Sequence, residues 1–289
     1  MFDSQNLDTK DCLTPNSVAH ELADSVMPMK ASFRKSKAFV LAIAAGAFIA
    51  FGAQVSLTVM TGTESISWGF AKLIGAMTFA TGLMMVVLTG AELFTGNVMM
   101  TFAVIENKVS IWKLLKNWSI VYAGNFIGSV ILAVLIYFSG CSHNSHDALG
   151  VMGLSTAYTK ATLPFVEAFT RGILCNWLVC LAIWMASSSR HVIGKIFAIF
   201  FPIMTFVASG YEHSIANMYF LTNGLFLKHT PDIVAASGFT AEQLSNLTVK
   251  SCIINNLIPV TLGNLVGAIV FVVLLFWTAY LRDDHKKDN

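Results

Sequence analysis

Six long apolar stretches constrain the fold of this chain more than any other feature, because several exceed the roughly 18 uncharged residues that indicate a membrane-spanning helix. Hydrophobic residues make up 55% of the 289 residues and charged residues only 12%, about half the charged share of a soluble globular protein. We therefore predict an all-α membrane protein with six transmembrane helices, at about 38–60, 73–105, 118–138, 172–187, 196–227 and 257–281.

Charge and cysteine content exclude several functional classes. The net charge is only +2 and the basic residues form no stripe, which argues against a nucleic-acid partner. The five cysteines form no CxxC pair and no metal-ligand spacing. No constellation of nucleophile or metal ligands suits a membrane enzyme. We expect no catalytic residue, no cofactor and no bound metal.

Two of the six stretches, 73–105 and 196–227, are too long for a simple span, since each would reach roughly 50 Å as one helix against a hydrocarbon core of roughly 30 Å. Polar and small residues interrupt both in the middle, at Glu92–Asn97 and at Ser209–His213. A membrane tolerates opened backbone only where it faces protein or a water-filled cavity. We predict that transmembrane helices 2 and 5 are broken.

Basic residues are concentrated at the two termini and at the loops on the same side, so both termini are predicted to be cytoplasmic. The expected organisation is an N-terminal segment over 1–37, a channel domain over 38–282 and a tail over 283–289. In the first segment, Thr14-Pro15 predicts a helix start. An apolar stripe follows, and this amphipathic helix either packs on the protein or closes a pore mouth. The stripe consists of Val18, Ala19, Leu22, Ala23, Val26 and Met27.

The two halves of the chain carry the same two polar patterns in the same order. Asn117-x6-Gly124-Asn125-x2-Gly128 returns as Asn256-x6-Gly263-Asn264-x2-Gly267, and Gly90-x-Glu92-x4-Asn97 returns as Gly210-x-Glu212-x4-Asn217. With three spans in each half, the halves must cross the membrane in opposite senses, as an inverted 3+3 repeat. Paired broken helices in such a repeat indicate a binding site at the bilayer midplane.

Three ionisable residues lie at membrane depth, where a charge is costly. Glu92 and Glu212, together with Asn97 and Asn217 at the same breaks, are assigned a structural role, with the carboxylates as acceptors for freed backbone N–H groups. The GNxxG elements are assigned to close helix packing.

His213 is assigned to the pore, because it lies at one break and Thr95 at the other. Imidazole donates hydrogen bonds and exchanges a proton near neutral pH. Two half-helices beginning near these residues would direct the positive ends of their dipoles at one region, which favours an anion.

Three segments resemble the formate/nitrite transporter family: Leu93–Gly96, Cys175–Ala182 and, most specifically, Ala208–Met218. The likeness extends over about 38–282. It implies an aquaporin-like protomer of six spans, a homopentamer with one pore per protomer, and a place in a bacterial-type inner membrane.

The resemblance also implies roles for individual residues. His213 matches the central histidine and Thr95 the threonine of a mobile loop. Asn176 and Val179 match pore-facing positions, and Lys160 matches a basic residue of the outer vestibule that would concentrate anions. Two hydrophobic constrictions are implied, the cytoplasmic one at Phe79 and Leu83 and the periplasmic one at Leu93 and Phe206.

The expected function is a channel for a small monovalent anion, with formate first. Dehydrating an anion inside apolar rings is costly, so a weak acid could accept a proton near His213 and cross as a neutral molecule. A channel that stabilises the bare anion is the other mechanism considered. The N-terminal helix and the Thr95 loop are the candidate gates.

Other substrates remain open at this stage. Glu92 with Gly96, and the Cys175–Cys180 stretch, look more like nitrite or hydrosulfide members of the family. A neutral-solute pore of the aquaporin class shares the architecture, but its paired NPA boxes are absent from this sequence. An ammonium channel would need two pore histidines, and His213 is the only histidine within the predicted spans.

Overall fold

The computed structural model describes residues 12–63 and 65–282, and regular structure in these ranges is helical apart from one antiparallel bridge between Cys12 and Ser189. The expected all-α class is therefore confirmed for this part of the chain. The predicted tail over 283–289 and the first part of the predicted N-terminal segment lie outside the described residues. The α-helices in chain order are α1 (Pro15–His20), α2 (Met27–Ala31), α3 (Lys35–Met60), α4 (Trp68–Thr89), α5 (Phe94–Asn97), α6 (Thr101–Ile105), α7 (Ile111–Phe138), α8 (Ala148–Ala161), α9 (Phe165–Ser188), α10 (Val192–Ala208), α11 (Ser214–Leu227), α12 (Pro231–Ser237), α13 (Ala241–Asn246), α14 (Val249–Ser251), α15 (Ile258–Ala268) and α16 (Leu275–Tyr280).

Within the described residues, five helices are long and apolar enough to cross a membrane. Four of them are α3, α4, α7 and α9, and the fifth is the continuous run Val249–Tyr280, in which π-helical turns join α14, α15 and α16. Large apolar side chains such as Val40, Leu135 and Phe138 are exposed on them. Such faces are suited to lipid or to neighbouring subunits.

The two long apolar stretches are interrupted, as the sequence predicts. α4 ends at Thr89 and α5 begins at Phe94, while α10 ends at Ala208 and α11 begins at Ser214. Gly90 and Gly210 each follow the end of a helix with φ of +73°, a left-handed conformation that glycine adopts without steric cost. The first interruption lies earlier than expected, because Phe94–Asn97 is already helical.

A sixth span is present only if α10 and α11, on either side of the second interruption, are counted as one broken helix. α10 contains 17 residues and α11 contains 14, and each is shorter than the roughly 20 residues that cross a hydrocarbon core. The first interruption differs, because α4 alone has 22 residues and Phe94–Ile105 is an additional short apolar helix.

The described part of the N-terminal segment packs on the protein through its apolar stripe. Thr14 caps α1 by accepting a hydrogen bond from the backbone N–H of Ser17, and Pro15 follows it, as predicted. Every residue of the stripe except Val26, which is half-buried, has less than 2% of its surface exposed. Leu13 N–H also donates to the Ser188 carbonyl at the end of α9.

Small residues bring the long helices into backbone contact, in two equivalent pairs. A Cβ at Gly128 on α7 would lie 2.0 Å from the Ile43 carbonyl oxygen on α3. A Cβ at Gly267 on α15 would lie 2.2 Å from the Ile173 carbonyl oxygen on α9. These approaches are possible only without a side chain, which confirms that the GNxxG elements pack helices closely.

Replacing Gly128 with alanine is therefore expected to force α3 and α7 apart. The cost should be about 1–3 kcal/mol, the range for overpacking a closely packed interior. The measurement is the apparent melting temperature of the purified protein in detergent, followed by intrinsic fluorescence. The control is Gly69→Ala, because a Cβ at Gly69 in α4 meets no atom within 4 Å; equal melting temperatures for the two variants would contradict the assignment.

Candidate functional site

The two helix breaks meet at one buried contact between the halves of the chain. Thr95 Oγ1, in the first turn of α5, lies 2.9 Å from His213 Nε2, at the residue that precedes α11. Both side chains are buried. The structure thus brings together the two residues that the sequence analysis assigned to the pore from positions 118 residues apart.

The hydrogen bonds of His213 determine which ring nitrogen carries the proton. Its Nδ1 accepts the backbone N–H of Ala216 at 3.1 Å and so caps α11. A neutral imidazole with Nδ1 as acceptor carries its hydrogen on Nε2, so Nε2–H donates to Thr95 Oγ1. In the described residues no other hydrogen bond uses the Thr95 hydroxyl, and its own hydrogen remains available for a third partner.

Two asparagines, rather than the glutamates, satisfy the backbone at the breaks. Asn125 Oδ1 accepts the N–H of Phe94 at 2.9 Å, and Asn264 Oδ1 accepts the N–H of Ser214 at 2.9 Å. Each amide NH2 then donates to two carbonyls, one of which belongs to the glutamate of the same break. The prediction that the Glu92 and Glu212 carboxylates accept freed backbone N–H groups is wrong for the described residues.

The glutamate carboxylates instead form a buried ion pair at each break. Lys30 Nζ, from α2, lies 2.7 Å from Glu92 Oε1, and Lys160 Nζ, from α8, lies 2.8 Å from Glu212 Oε1. Opposite charges that are held this close compensate the cost of removing each from water. Lys160 therefore contacts the second break directly.

An asparagine pair completes each cluster, and two of its contacts match in the two halves. Asn97 Nδ2 donates to Glu92 Oε2 at 2.7 Å and to Asn117 Oδ1 at 2.9 Å. In the second half, Asn217 Nδ2 donates to Glu212 Oε2 at 2.6 Å and to Asn256 Oδ1 at 2.7 Å. The repeated sequence patterns therefore correspond to repeated polar clusters of one lysine, one glutamate and two asparagines.

Asn176 and Cys180, one turn apart on α9, both hold the first break. Asn176 Nδ2 donates to the Thr95 carbonyl at 3.2 Å and to the Asn264 carbonyl at 2.8 Å, and Cys180 Sγ lies 3.6 Å from the same Thr95 oxygen. The amide of Asn176 thus binds backbone in this structure. Val179, on the same helix, is buried in the main hydrophobic core.

The residues assigned to constrictions are all buried, but the structure groups them differently from the prediction. The rings of Phe79 and Phe206 are in edge contact with centroids 5.7 Å apart, and Phe206 stacks on His213 at 6.0 Å. Phe79 is therefore in contact with Phe206, a residue that the prediction assigned to the other constriction. Leu83 lies one turn further along α4 and Leu93 immediately before α5.

A cavity of about 330 Å³ opens beside this aromatic pair. Its lining includes Lys72, Phe79, Lys160, Arg171, Phe206 and His213. The cavity therefore connects the vestibule lysine of the sequence analysis with the central histidine. Three cations, two aromatic rings and His213 therefore share one cavity.

Sequence reasoning missed Lys30 and Lys72, and it did not assign Asn117 and Asn256 to the breaks. The two asparagines were visible as the first residue of the repeated N-x6-GN pattern. A spacing in the sequence also indicated Lys30. Lys30 precedes Ala42 by the same number of residues as Lys160 precedes Gly172. The carbonyls of Ala42 and Gly172 accept hydrogen bonds from Asn125 and Asn264, respectively.

The capping asparagines are expected to contribute more stability than an ordinary buried amide. Asn264→Ala would leave the Ser214 N–H and the Glu212 carbonyl without their side-chain partner, at about 1–3 kcal/mol for each group, and would also remove a bond to the Gly172 carbonyl. The apparent melting temperature in detergent should fall well below that of Asn255→Ala, which removes one bond to the Ala161 carbonyl. Similar losses in the two variants would show that Asn264 does not hold the break.

Comparisons with known proteins agree with this architecture. A family profile described as formate/nitrite transporter matches residues 17–278. The chain is 40% identical to the "Formate channel FocA" of Escherichia coli (strain K12), over 95% of this chain and 97% of that protein. It is 38% identical to a "Probable formate transporter" of Methanothermobacter thermautotrophicus, over 90% and 94%.

Solved structures give the same result. A "Pentameric formate channel with formate bound" matches with a TM-score of 0.78 and 37% identity, covering 86% of this chain and 98% of that one. An "FNT family ion channel" matches with a TM-score of 0.74 and 31% identity, covering 92% and 98%. Sequence, fold and the repeated polar clusters around Thr95 and His213 lead to one conclusion: this chain belongs to the formate/nitrite transporter family.

Proposed function

We propose that this protein is a membrane channel that carries formate, with the Thr95–His213 contact as the point where the anion is bound. That contact is the observation that carries the proposal, because it supplies hydrogen-bond donors between the starts of two helices. Helix starts carry partial positive charge, which favours an anion. Family membership and the formate channels among the relatives support the choice of substrate.

The proposed topology has six spans in an aquaporin-like inverted 3+3 repeat. In it, α10 and α11 together form the broken fifth span, and α4 with Phe94–Ile105 forms the broken second span. The matching clusters around Glu92 and Glu212 support the repeat. The N-terminal segment 1–37 and the tail 283–289 lie on the cytoplasmic side of a bacterial-type inner membrane, and the domain 38–282 forms one pore in each protomer of a homopentamer.

The proposed path runs from the cavity beside Lys160, past Phe79 and Phe206, to the site at Thr95. The Phe79–Phe206 pair forms one constriction, and Leu83 with Leu93 forms the other beyond the central site. Asn176 holds the Thr95 carbonyl in place, and Val179 contributes apolar surface to the path.

The proposed binding step uses the hydrogen of the Thr95 hydroxyl. Because His213 Nε2–H donates to Thr95 Oγ1, the hydroxyl donates its own hydrogen to a carboxylate oxygen of the anion. A hydrogen bond to a charged group is worth about 1.5–3 kcal/mol. A proton that enters from the external solution and reaches the bound anion near His213 would then let it cross the apolar constriction as formic acid, which avoids most of the cost of dehydrating a charge.

The proposed gates are the N-terminal helical segment and the loop before Thr95. Lys30 joins the N-terminal segment to the first break through Glu92 and Asn97, so movement of α2 and of the loop before Thr95 is coupled through this lysine. The carboxylate is buried, and its separation from Lys30 would leave an unpaired charge. The two gates should therefore open together.

The Thr95 hydroxyl can be tested without removing the histidine. Thr95→Val keeps the shape of the side chain and removes the donor, and formate flux should fall about 10- to 100-fold, the equivalent of the lost charge-assisted hydrogen bond. Thr95→Ser keeps the hydroxyl and should retain most of the flux. The measurement is formate influx into proteoliposomes, and equal flux in the two variants would contradict a role for the hydroxyl.

Substrate and mechanism are tested in proteoliposomes with formate, nitrite and hydrosulfide, across external pH and with the membrane potential clamped. Wild-type protein should carry formate, and influx should rise as external pH falls if a proton accompanies the anion. His213→Asn is the informative variant, because asparagine still caps α11 as an acceptor but does not titrate. It should lose the pH dependence.

The other possible outcomes of this experiment would each indicate a different mechanism or substrate. Influx that follows the membrane potential and ignores the pH gradient would indicate conduction of the bare anion. Faster flux of nitrite or hydrosulfide than of formate would change the substrate within the family. No flux of the three anions from correctly assembled protein, with flux of glycerol or water, would replace the anion channel by a neutral-solute pore.

A further inference from the structure

The positive charge of the vestibule lysine is compensated. Lys160 Nζ lies 2.8 Å from the carboxylate of Glu212, and both side chains are largely buried. The field of two opposite charges held this close falls off much faster with distance than that of one charge. Lys160 alone therefore does little to attract an anion into the cavity from outside.

Lys72 lies in the same cavity without such a partner. It is half-buried on the first turns of α4, and its Nζ lies 5.9 Å from the centre of the Trp68 ring. No hydrogen bond or ion pair connects it to any of the residues that the structure describes. It lies near enough to Lys160 and Glu212 to interact with both charges.

The third cation of the cavity is also compensated. The Arg171 guanidinium donates to Glu167 at 2.8 Å, one turn back on α9. Among the cations of the described lining, Lys72 thus supplies the net charge. An uncompensated ammonium group beside a low-dielectric wall raises the local concentration of anions.

We propose that Lys72 makes this cavity a second anion-binding site, outside the one at Thr95 and His213, that takes a small carboxylate or another monovalent oxyanion. The proposal rests on the proposed function and adds a capture step before the Phe79–Phe206 constriction. The cavity of about 330 Å³ is large enough for such an anion with several waters, since one water occupies about 30 Å³ of liquid.

The site belongs to one mouth of the molecule. On the cavity side, the backbone N–H of Glu212 donates to the carbonyl of Arg171. At the other break, the backbone N–H of Glu92 donates to the carbonyl of Leu41, which is an apolar residue. The lysine there, Lys30, is compensated by Glu92. The cavity with Lys72 therefore distinguishes the Glu212 break from the Glu92 break, although each break has a lysine–glutamate pair.

The test compares formate influx into proteoliposomes for wild-type protein, Lys72→Gln, Lys72→Met and Lys72→Arg. The formate concentration for half-maximal influx should rise about three- to tenfold in both neutral variants, because electrostatic attraction to the mouth is lost. The maximal influx should stay within about twofold, since the inner site is intact. The arginine variant should behave like wild type.

Ionic strength separates a charge effect from a shape effect. Wild-type half-saturation should depend on salt between about 0.01 and 0.15 M, where the screening length falls from about 30 to 8 Å, and this dependence should flatten in the neutral variants. The matched control is Lys250→Gln, since Lys250 lies in a separate polar pocket beside Ala161, at the same end of the protein. It should leave half-saturation unchanged.

Several results would overturn the proposal. Neutral variants with wild-type half-saturation, an arginine variant as impaired as the neutral ones, or an equal shift in Lys250→Gln would each do so while the proposed function stands. Wild-type protein that carries none of formate, nitrite and hydrosulfide would remove both, because the site would then have no anion to capture. Size-exclusion profiles identical to that of wild type exclude misassembly as the cause of a shift.

Discussion

The need to satisfy backbone hydrogen bonds inside a membrane is the constraint on which the rest of this structure depends. An opened helix exposes N–H and C=O groups, and each costs several kcal/mol in an apolar medium if it has no partner. Asn125 and Asn264 supply those partners from neighbouring helices, because each accepts the first N–H of the new helix and donates to the carbonyl of the glutamate at the break. Because the breaks are held this way, α5 and α11 can begin in the interior, where Thr95 and His213 meet.

Buried charges in this structure also have partners from other helices. Two buried carboxylates, Glu92 and Glu212, would be costly if unpaired, and each has a lysine from a helix outside the long spans. This makes the α1–α2 segment the counterpart of α8 in the other half. The N-terminal segment is thus part of the repeated unit through Lys30, in addition to its apolar packing against the protein.

Much of the fold followed from apolar length and polar interruptions. Helix breaks near Gly90 and Gly210 were predictable, because a stretch that is too long for the bilayer and contains a glutamate cannot remain a plain span. The pairing of Thr95 with His213 followed from the matching order of patterns in the two halves. Predictions failed where side-chain partners had to be named: the glutamates were given the role of the asparagines, and Phe79 was placed apart from Phe206.

Periodicity and spacing state which residues share a helix face, but they do not state which residues of two distant helices lie at the same depth. The sequence by itself determined the class of the protein, the presence of the two breaks, the repeated order of polar residues and the family, because each depends on local composition and spacing. The tertiary structure decided which acceptor each freed N–H uses, which lysine neutralises which carboxylate, and that Lys72 remains uncompensated among the described residues. These depend on distances of a few ångströms between segments far apart in the chain, and such distances are set only when the helices pack.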